Sequence, residues 1–210
     1  MSITHDERLA MCDLLDLLGP DRPTLCGDWT TRDLLAHLLV RERRPDASLG
    51  IVVPAFAGRT ESAMQHVAEQ SFTENVNTFR TGPPIWTLWA IPVLGDRANL
   101  FEFYVHHEDI RRAQPEWEPR PSDPRREDAL WGALTMMGRL LFRRCPGGVV
   151  LRAAGRDDAV VRKGEHAVHV VGEPSEIALV AFGRPTELTR IVVQGEPDDI
   201  AGFEASPRGL

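Results

Sequence analysis

Cysteine is scarce in this chain: Cys12, Cys26 and Cys145 are the only three in 210 residues. Odd in number and scattered, they make neither a disulfide framework nor a C-x-x-C zinc knuckle, and they read as reduced thiols. Positive charge is short as well. The 24 lysines and arginines against 31 aspartates and glutamates leave a net charge of −7, the wrong balance for gripping phosphates, so nucleic acid is not an expected partner. No apolar run approaches the length of a membrane span, and Met1-Ser-Ile-Thr-His-Asp-Glu-Arg8 is too charged for a signal peptide. The expectation is a cytoplasmic protein with no membrane partner. A G-x-S-x-G elbow, a G-x-G-x-x-G turn and a phosphate-binding glycine loop are all missing, which removes serine hydrolase, dinucleotide and nucleoside-triphosphate chemistry.

What is present is an ordinary globular composition, 42% hydrophobic and 26% charged, enough for one sizeable domain or two small ones. Leu9, Cys12 and Leu15, with Leu14, Leu17 and Leu18, predict a first helix over 4–18 that stops at Gly19-Pro20. Thr30 and Asp33 form a capping-box start for a second, from about Thr31 to Arg44. Its buried arc is Leu34, Leu35, Leu38 and Leu39. His37 lies at the edge of that arc, where a lone histidine is more often a surface or hydrogen-bonded residue than a ligand. A third helix is expected over 59–80 on the stripe Met64, Ala68, Phe72, Val76 and Phe79, with His66 in water. Trp86 and Trp89 follow in a broken apolar stretch, where they would line a pocket or cover the core.

The stretch Asn99-Leu-Phe-Glu-Phe-Tyr-Val-His-His-Glu-Asp-Ile-Arg-Arg-Ala113 carries the most specific chemistry. Read as a helix starting after Gly95 with Asp96 as its cap, it puts Glu102, His106 and Asp109 in one stripe inside the apolar arc. Tyr104, His107, Glu108 and Arg111 fall on the opposite side, so His107 and Glu108 are expected to face water. A carboxylate beside an imidazole in a buried stripe costs several kcal/mol unless both find partners. Two outcomes fit: a hydrogen-bonded core pair that fixes register, or two ligands of a metal ion. No other buried cation is evident to neutralise Glu102, since Arg111 faces away and Arg112 sits at the margin of the buried arc.

A proline-rich run from Gln114 to Arg126 reads as a linker or surface loop. Leu130, Leu134, Met137, Leu140 and Leu141 mark a fifth helix, closed by Cys145-Pro-Gly-Gly148 and expected to join the N-terminal bundle. Beyond it the period shortens to that of strands, in Val149–Ala154, Ala159–Lys163, His166–Val171 and Arg190–Gln194, with a helix from Glu173 to Phe182. His166 and His169, three apart on a strand, would point to opposite faces and not chelate one ion. The fold class is therefore α+β, with an all-helical domain over 1–145 and a small α+β domain over 146–210.

Trp29-Thr-Thr-Arg-Asp-Leu-Leu-Ala-His37 resembles the tryptophan-to-histidine helix of the DinB-like superfamily. Glu102-Phe-Tyr-Val-His106-His-Glu-Asp109 resembles the E-x-x-x-H-x-x-D segment of its mycothiol-dependent maleylpyruvate isomerase branch, and Gly172–Arg184 is similar to the end of the small sterol-carrier-like domain of that branch. The resemblance spans nearly the whole chain. It implies a four-helix bundle of up-down-down-up type holding a divalent metal, most often zinc, through His37, Glu102 and His106, with Asp109 orienting a ligand from behind. Two imidazoles and one carboxylate leave a coordination position open, as catalytic sites do. The function so implied is a metal-dependent thiol transferase or isomerase acting on a small electrophile, with mycothiol as a cosubstrate and a monomer or homodimer as the assembly. The alternative is a metal-binding domain without turnover whose C-terminal unit binds an apolar ligand or a partner chain. No further catalytic residue is singled out.

Overall fold

The computed structural model describes residues 2–48, 50, 53–85, 87 and 92–209, with backbone alone for Pro54 and for 92–98. Trp86 and Trp89 lie outside the described residues, as does the side chain of Asp96. The chain divides into two compact units, Met1–Pro119 and Arg120–Leu210.

The first unit is helical. Ser2 accepts a hydrogen bond from the His5 amide and opens α1, Ile3–Leu18, which ends at Gly19 with φ 77°. Asp33 reaches back to the Thr30 amide at 2.9 Å and starts α2, Thr31–Arg43, a carboxylate placed where unpaired amides converge. A short turn of helix, α3, covers Pro45–Ser48. The helix expected over 59–80 is two: α4, Ala57–Ala68, and α5, Phe72–Arg80. The break has a local cause, because the Ser71 hydroxyl accepts from the Glu74 amide and caps a new start. His66 is exposed, as read.

The last helix of the unit, α6, runs over Pro92–Arg112 and so begins before the expected cap at Asp96. Met11, Cys12 and Leu15 of α1, Leu34, Leu35, Leu38 and Leu39 of α2, Val76 and Phe79 of α5, and Phe103 and Ile110 of α6 form one core. Among the described residues of this unit there is no strand, only an isolated bridge between Pro23 and Thr30.

One expectation about α6 is overturned. His107 and Glu108 do not face water: both are buried, as is Tyr104 on the same side. The helix packs on α1 along one side and meets α2 along another, so the polar residues there find partners instead of solvent. His107 Nδ1 donates to Glu7 Oε1 of α1 at 2.8 Å. Glu108 accepts from Arg111 and from Arg112, each at 2.7 Å.

The second unit begins earlier than residue 146. Asp123 caps α7, Pro124–Leu141, and this helix packs against α8 and β2 of its own unit. Gly138 of α7 lies so close to strand β2 that an added Cβ would stand 2.4 Å from Val161 Cγ1, and Glu127 Oε2 accepts from the Ser175 amide at the start of α8 at 2.9 Å. The strands are β1, Val149–Arg152, β2, Ala159–Arg162, β3, Val168–Val171, and β4, Val192–Gln194. Their order is β2-β1-β3-β4, with β1 and β3 parallel and both outer pairings antiparallel.

Helix α8, Pro174–Ala181, is buried throughout. A helix not expected from periodicity, α9, covers Pro197–Ala205 and brings Phe203 to stack on Phe142 with centroids 6.2 Å apart. His166 stands outside β3, exposed and with φ 56°, whereas His169 is within it.

Candidate metal centre

Helix α2 delivers His37 and helix α6 delivers Glu102 and His106. Successive turns of α6 place Glu102 and His106 on one side, and the ring of His37 meets them from across the helix pair. His37 Nε2 stands 3.1 Å from Glu102 Oε1, and His106 Nε2 stands 3.4 Å from the same oxygen. The two imidazoles meet edge to face with centroids 5.5 Å apart, and the Trp29 ring leans on His37 at 5.2 Å. One donor atom from each of the three lies within 4.8 Å of the others. His37 is buried, so the edge of the arc where it stands in sequence turns inward once α6 packs there.

Two of the three ligand candidates are held from behind. His106 Nδ1 donates to Asp109 Oδ2 at 2.9 Å, and Asp109 is wholly buried. Glu102 Oε2 faces the Arg41 guanidinium, with Nε at 3.5 Å, while Arg41 also donates to Asn99 Oδ1 at 2.7 Å. A buried cation next to Glu102 therefore exists, contrary to expectation, and it comes from α2 and not from α6. Arg41 follows His37 by four residues, so the two share a helix face. That spacing was the available signal for it.

Cys26 was also missed. Its thiol donates to Asp109 Oδ2 at 3.1 Å and lies 3.6 Å from His106 Nδ1. The loop that carries it is fixed to α6 by the Leu25 amide, which donates to the Asp109 carbonyl at 3.1 Å.

The electrostatics follow from these neighbours. Burial by itself would raise the Glu102 carboxyl, but Arg41 beside it and the hydrogen bonds from His106 and His37 outweigh burial and hold it well below the usual carboxylate range. Burial by itself would lower His106. Hydrogen bonds to Asp109, Cys26 and Glu102 reverse the sign and push its pKa well above the ordinary imidazole value. The donor chemistry fits a divalent ion: two imidazole nitrogens and one carboxylate oxygen converge, and the other oxygen of Glu102 and the other nitrogen of His106 are already engaged. His166, His169 and His66 enter no such group among the described residues.

The first unit is thus helical with two imidazoles and a carboxylate converging in it, and the second, in the same chain, is a small mixed sheet with helices. Residues 4–84 match the family model described as the mycothiol maleylpyruvate isomerase N-terminal domain, the family that the two helical motifs resemble. The match takes in α1 to α5 and includes His37. Glu102 and His106 lie beyond it. Among solved structures, a crystal structure of the mycothiol-dependent maleylpyruvate isomerase is similar over 93% of this chain and 96% of its own, with 16% identity and a TM-score of 0.53. That likeness shows a shared fold of helices plus a small sheet. A mutant form of the mycothiol-dependent maleylpyruvate isomerase matches over the same shares with a TM-score of 0.49. Among curated proteins, none matches. No helix among the described residues is long and apolar enough to cross a membrane.

Proposed function

We propose that this protein is a zinc-dependent enzyme that joins a low-molecular-weight thiol, mycothiol in cells that make it, to a small electrophile in a transfer or isomerisation reaction. The observation that carries this reading is the convergence of His37 Nε2, His106 Nε2 and Glu102 Oε1 from two helices of one chain. These three would hold the ion, and Asp109 would fix the His106 ring with Nε2 toward it. Bound there, a divalent ion supplies the field that lets a thiol lose its proton at neutral pH.

The chain's own residues prepare the place. Arg41 engages the outer oxygen of Glu102 and leaves Oε1 directed at the two imidazoles. The Trp29 ring lies against one flank of His37. All three ligands come from a single chain, so a monomer, or each half of a homodimer, carries a whole site. Reduced cysteines suit a cytoplasmic setting. In this reading α1, α2, the α4–α5 pair and α6 make the four-helix, DinB-like bundle, and the second unit is the sterol-carrier-like one.

The test has two arms. Elemental analysis should find about one divalent ion per chain in wild type and less in Glu102→Gln, which keeps shape and removes charge. Thiol-dependent loss of maleylpyruvate or chlorodinitrobenzene should require that ion. If protein as purified and protein soaked in zinc both lack it, and chelator leaves the melting temperature unchanged, the metal site and the enzyme fall together. An ion without thiol-dependent turnover would leave a metal-binding domain alone.

A further inference from the structure

His106 offers its two nitrogens to two different donor sets. On the Nε2 side stand Glu102 and His37. On the Nδ1 side stand Asp109 Oδ2 at 2.9 Å and Cys26 Sγ at 3.6 Å, and those two are 3.1 Å from each other. Ligands around a tetrahedral ion, with metal bonds of about 2.0–2.3 Å, stand roughly 3.3–3.7 Å apart. The sulfur–nitrogen separation is already of that size. For an ion of zinc's size the two separations to Asp109 need to open by roughly half an ångström, and for a larger one by somewhat more, by a turn of the Asp109 carboxylate.

The sulfur is also well placed by backbone. Cys26 lies on the loop between α1 and α2, where its amide donates to Thr24 Oγ1 at 3.1 Å and its neighbour Leu25 is bonded to the α6 backbone. Of the three cysteines it alone is not fully buried. We propose that Cys26, His106 and Asp109 form a second metal site, suited to a soft, thiol-loving divalent cation such as cadmium, which competes with the His37 set for the same imidazole.

Softness follows from the thiolate, which the His37 set lacks. Competition follows from the ring. An ion on Nδ1 displaces the proton there and leaves the remaining ring proton on Nε2, where it points at Glu102 Oε1 and can no longer serve the first set. The entering cation also displaces the Cys26 thiol proton, so two protons leave to solvent when His106 starts protonated on both nitrogens. Neither His37 nor an open coordination position is needed, and the proposal stands or falls apart from the function proposed above.

The experiment titrates cadmium into full-length His37→Ala protein freed of metal, with circular dichroism as the check on folding. A thiolate-to-cadmium charge-transfer band should appear in the ultraviolet and level off at one thiolate per chain. It should vanish in the His37→Ala, Cys26→Ser double variant. In wild type, without any substitution, cadmium should protect Cys26 from alkylation as read by peptide mass spectrometry. No band in the His37→Ala protein, a band that survives Cys26→Ser, or full alkylation of Cys26 at saturating cadmium would overturn the proposal.

Discussion

Arg41 sets the charge balance around Glu102. With the guanidinium in place, the carboxylate is compensated whether or not an ion is present. Replacing Arg41 by Met removes the charge, keeps most of the stem packing, and strands both Glu102 and Asn99 without this partner. Breaking a buried pair from one side costs about 3–5 kcal/mol. An ion on Glu102 Oε1 would replace part of the lost compensation. The expected outcome is therefore coupled: Arg41→Met melts well below wild type in chelator, and zinc raises its melting temperature by more than it raises that of wild type. Equal zinc shifts in the two proteins would show that Arg41 and the ion do not act on the same carboxylate.

His107 supplies the contrasting case, one residue along the same helix. It hydrogen bonds to Glu7 on α1 and its ring is directed away from the donor set. His107→Ala should keep the metal content of wild type while losing roughly 2–4 kcal/mol of stability, because Glu7 stays buried without this partner. A protein that loses its ion in step with that substitution would mean that the two faces of α6 are mechanically tied.

At the scale of the element, what periodicity can and cannot say becomes visible in α6. The stripe of Glu102, His106 and Asp109 was legible because an ionisable row inside an apolar arc is unusual. On the opposite row, His107 and Glu108 looked solvent-facing for the same reason, since pattern assigns polar side chains to water. It was wrong for His107 because its partner, Glu7, lies far away in sequence and leaves no local mark, whereas Glu108 is held on its own helix by Arg111 and Arg112, three and four residues on. His37 shows a case that position left open: at the edge of its arc, its buried setting depends on which helix comes to cover it. The four strands and α8 were readable from β-branched runs and a Pro-led start, whereas α9, which opens on Glu196-Pro197 much as α8 opens on Glu173-Pro174, was not picked out.

Helix α7 was expected with the N-terminal helices and falls in the second compact unit. Its apolar face suits a bundle or a sheet equally well, and the deciding residue is Gly138, whose missing side chain lets Val161 of β2 come close. Gly138→Ala should cost about 1–3 kcal/mol by overpacking. Shortening the neighbour should restore part of it, so the Gly138→Ala, Val161→Ala double variant is expected to be destabilised by less than the sum of the single changes, measured by urea denaturation. Additive costs would place the contact elsewhere.

Each of the two compact units buries one cysteine, Cys12 in the first and Cys145 in the second. Burial pushes the Cys12 thiol up from 9.0 to about 11, with Arg80 and Arg8 opposing the rise. The folded value lies above the unfolded one, so the neutral thiol adds its stability at pH below about 9 and loses it as the pH climbs through about 11. At pH 8 the native thiol is almost wholly protonated and shielded, and modification of Cys12 reads openings of the first unit. An ion held by His37, Glu102 and His106 stabilises that unit by mass action, by RT ln(1 + [L]/Kd). Saturating zinc should therefore slow alkylation of Cys12, by a factor that grows with zinc concentration, while Cys145, whose core contains none of those ligands, should be modified at its metal-free rate. Peptide mass spectrometry on one sample reads both rates at once. If Cys145 slows by the same factor as Cys12, the two units open as one cooperative body. If neither slows, the ion does not bind the folded helical unit in preference to the open one.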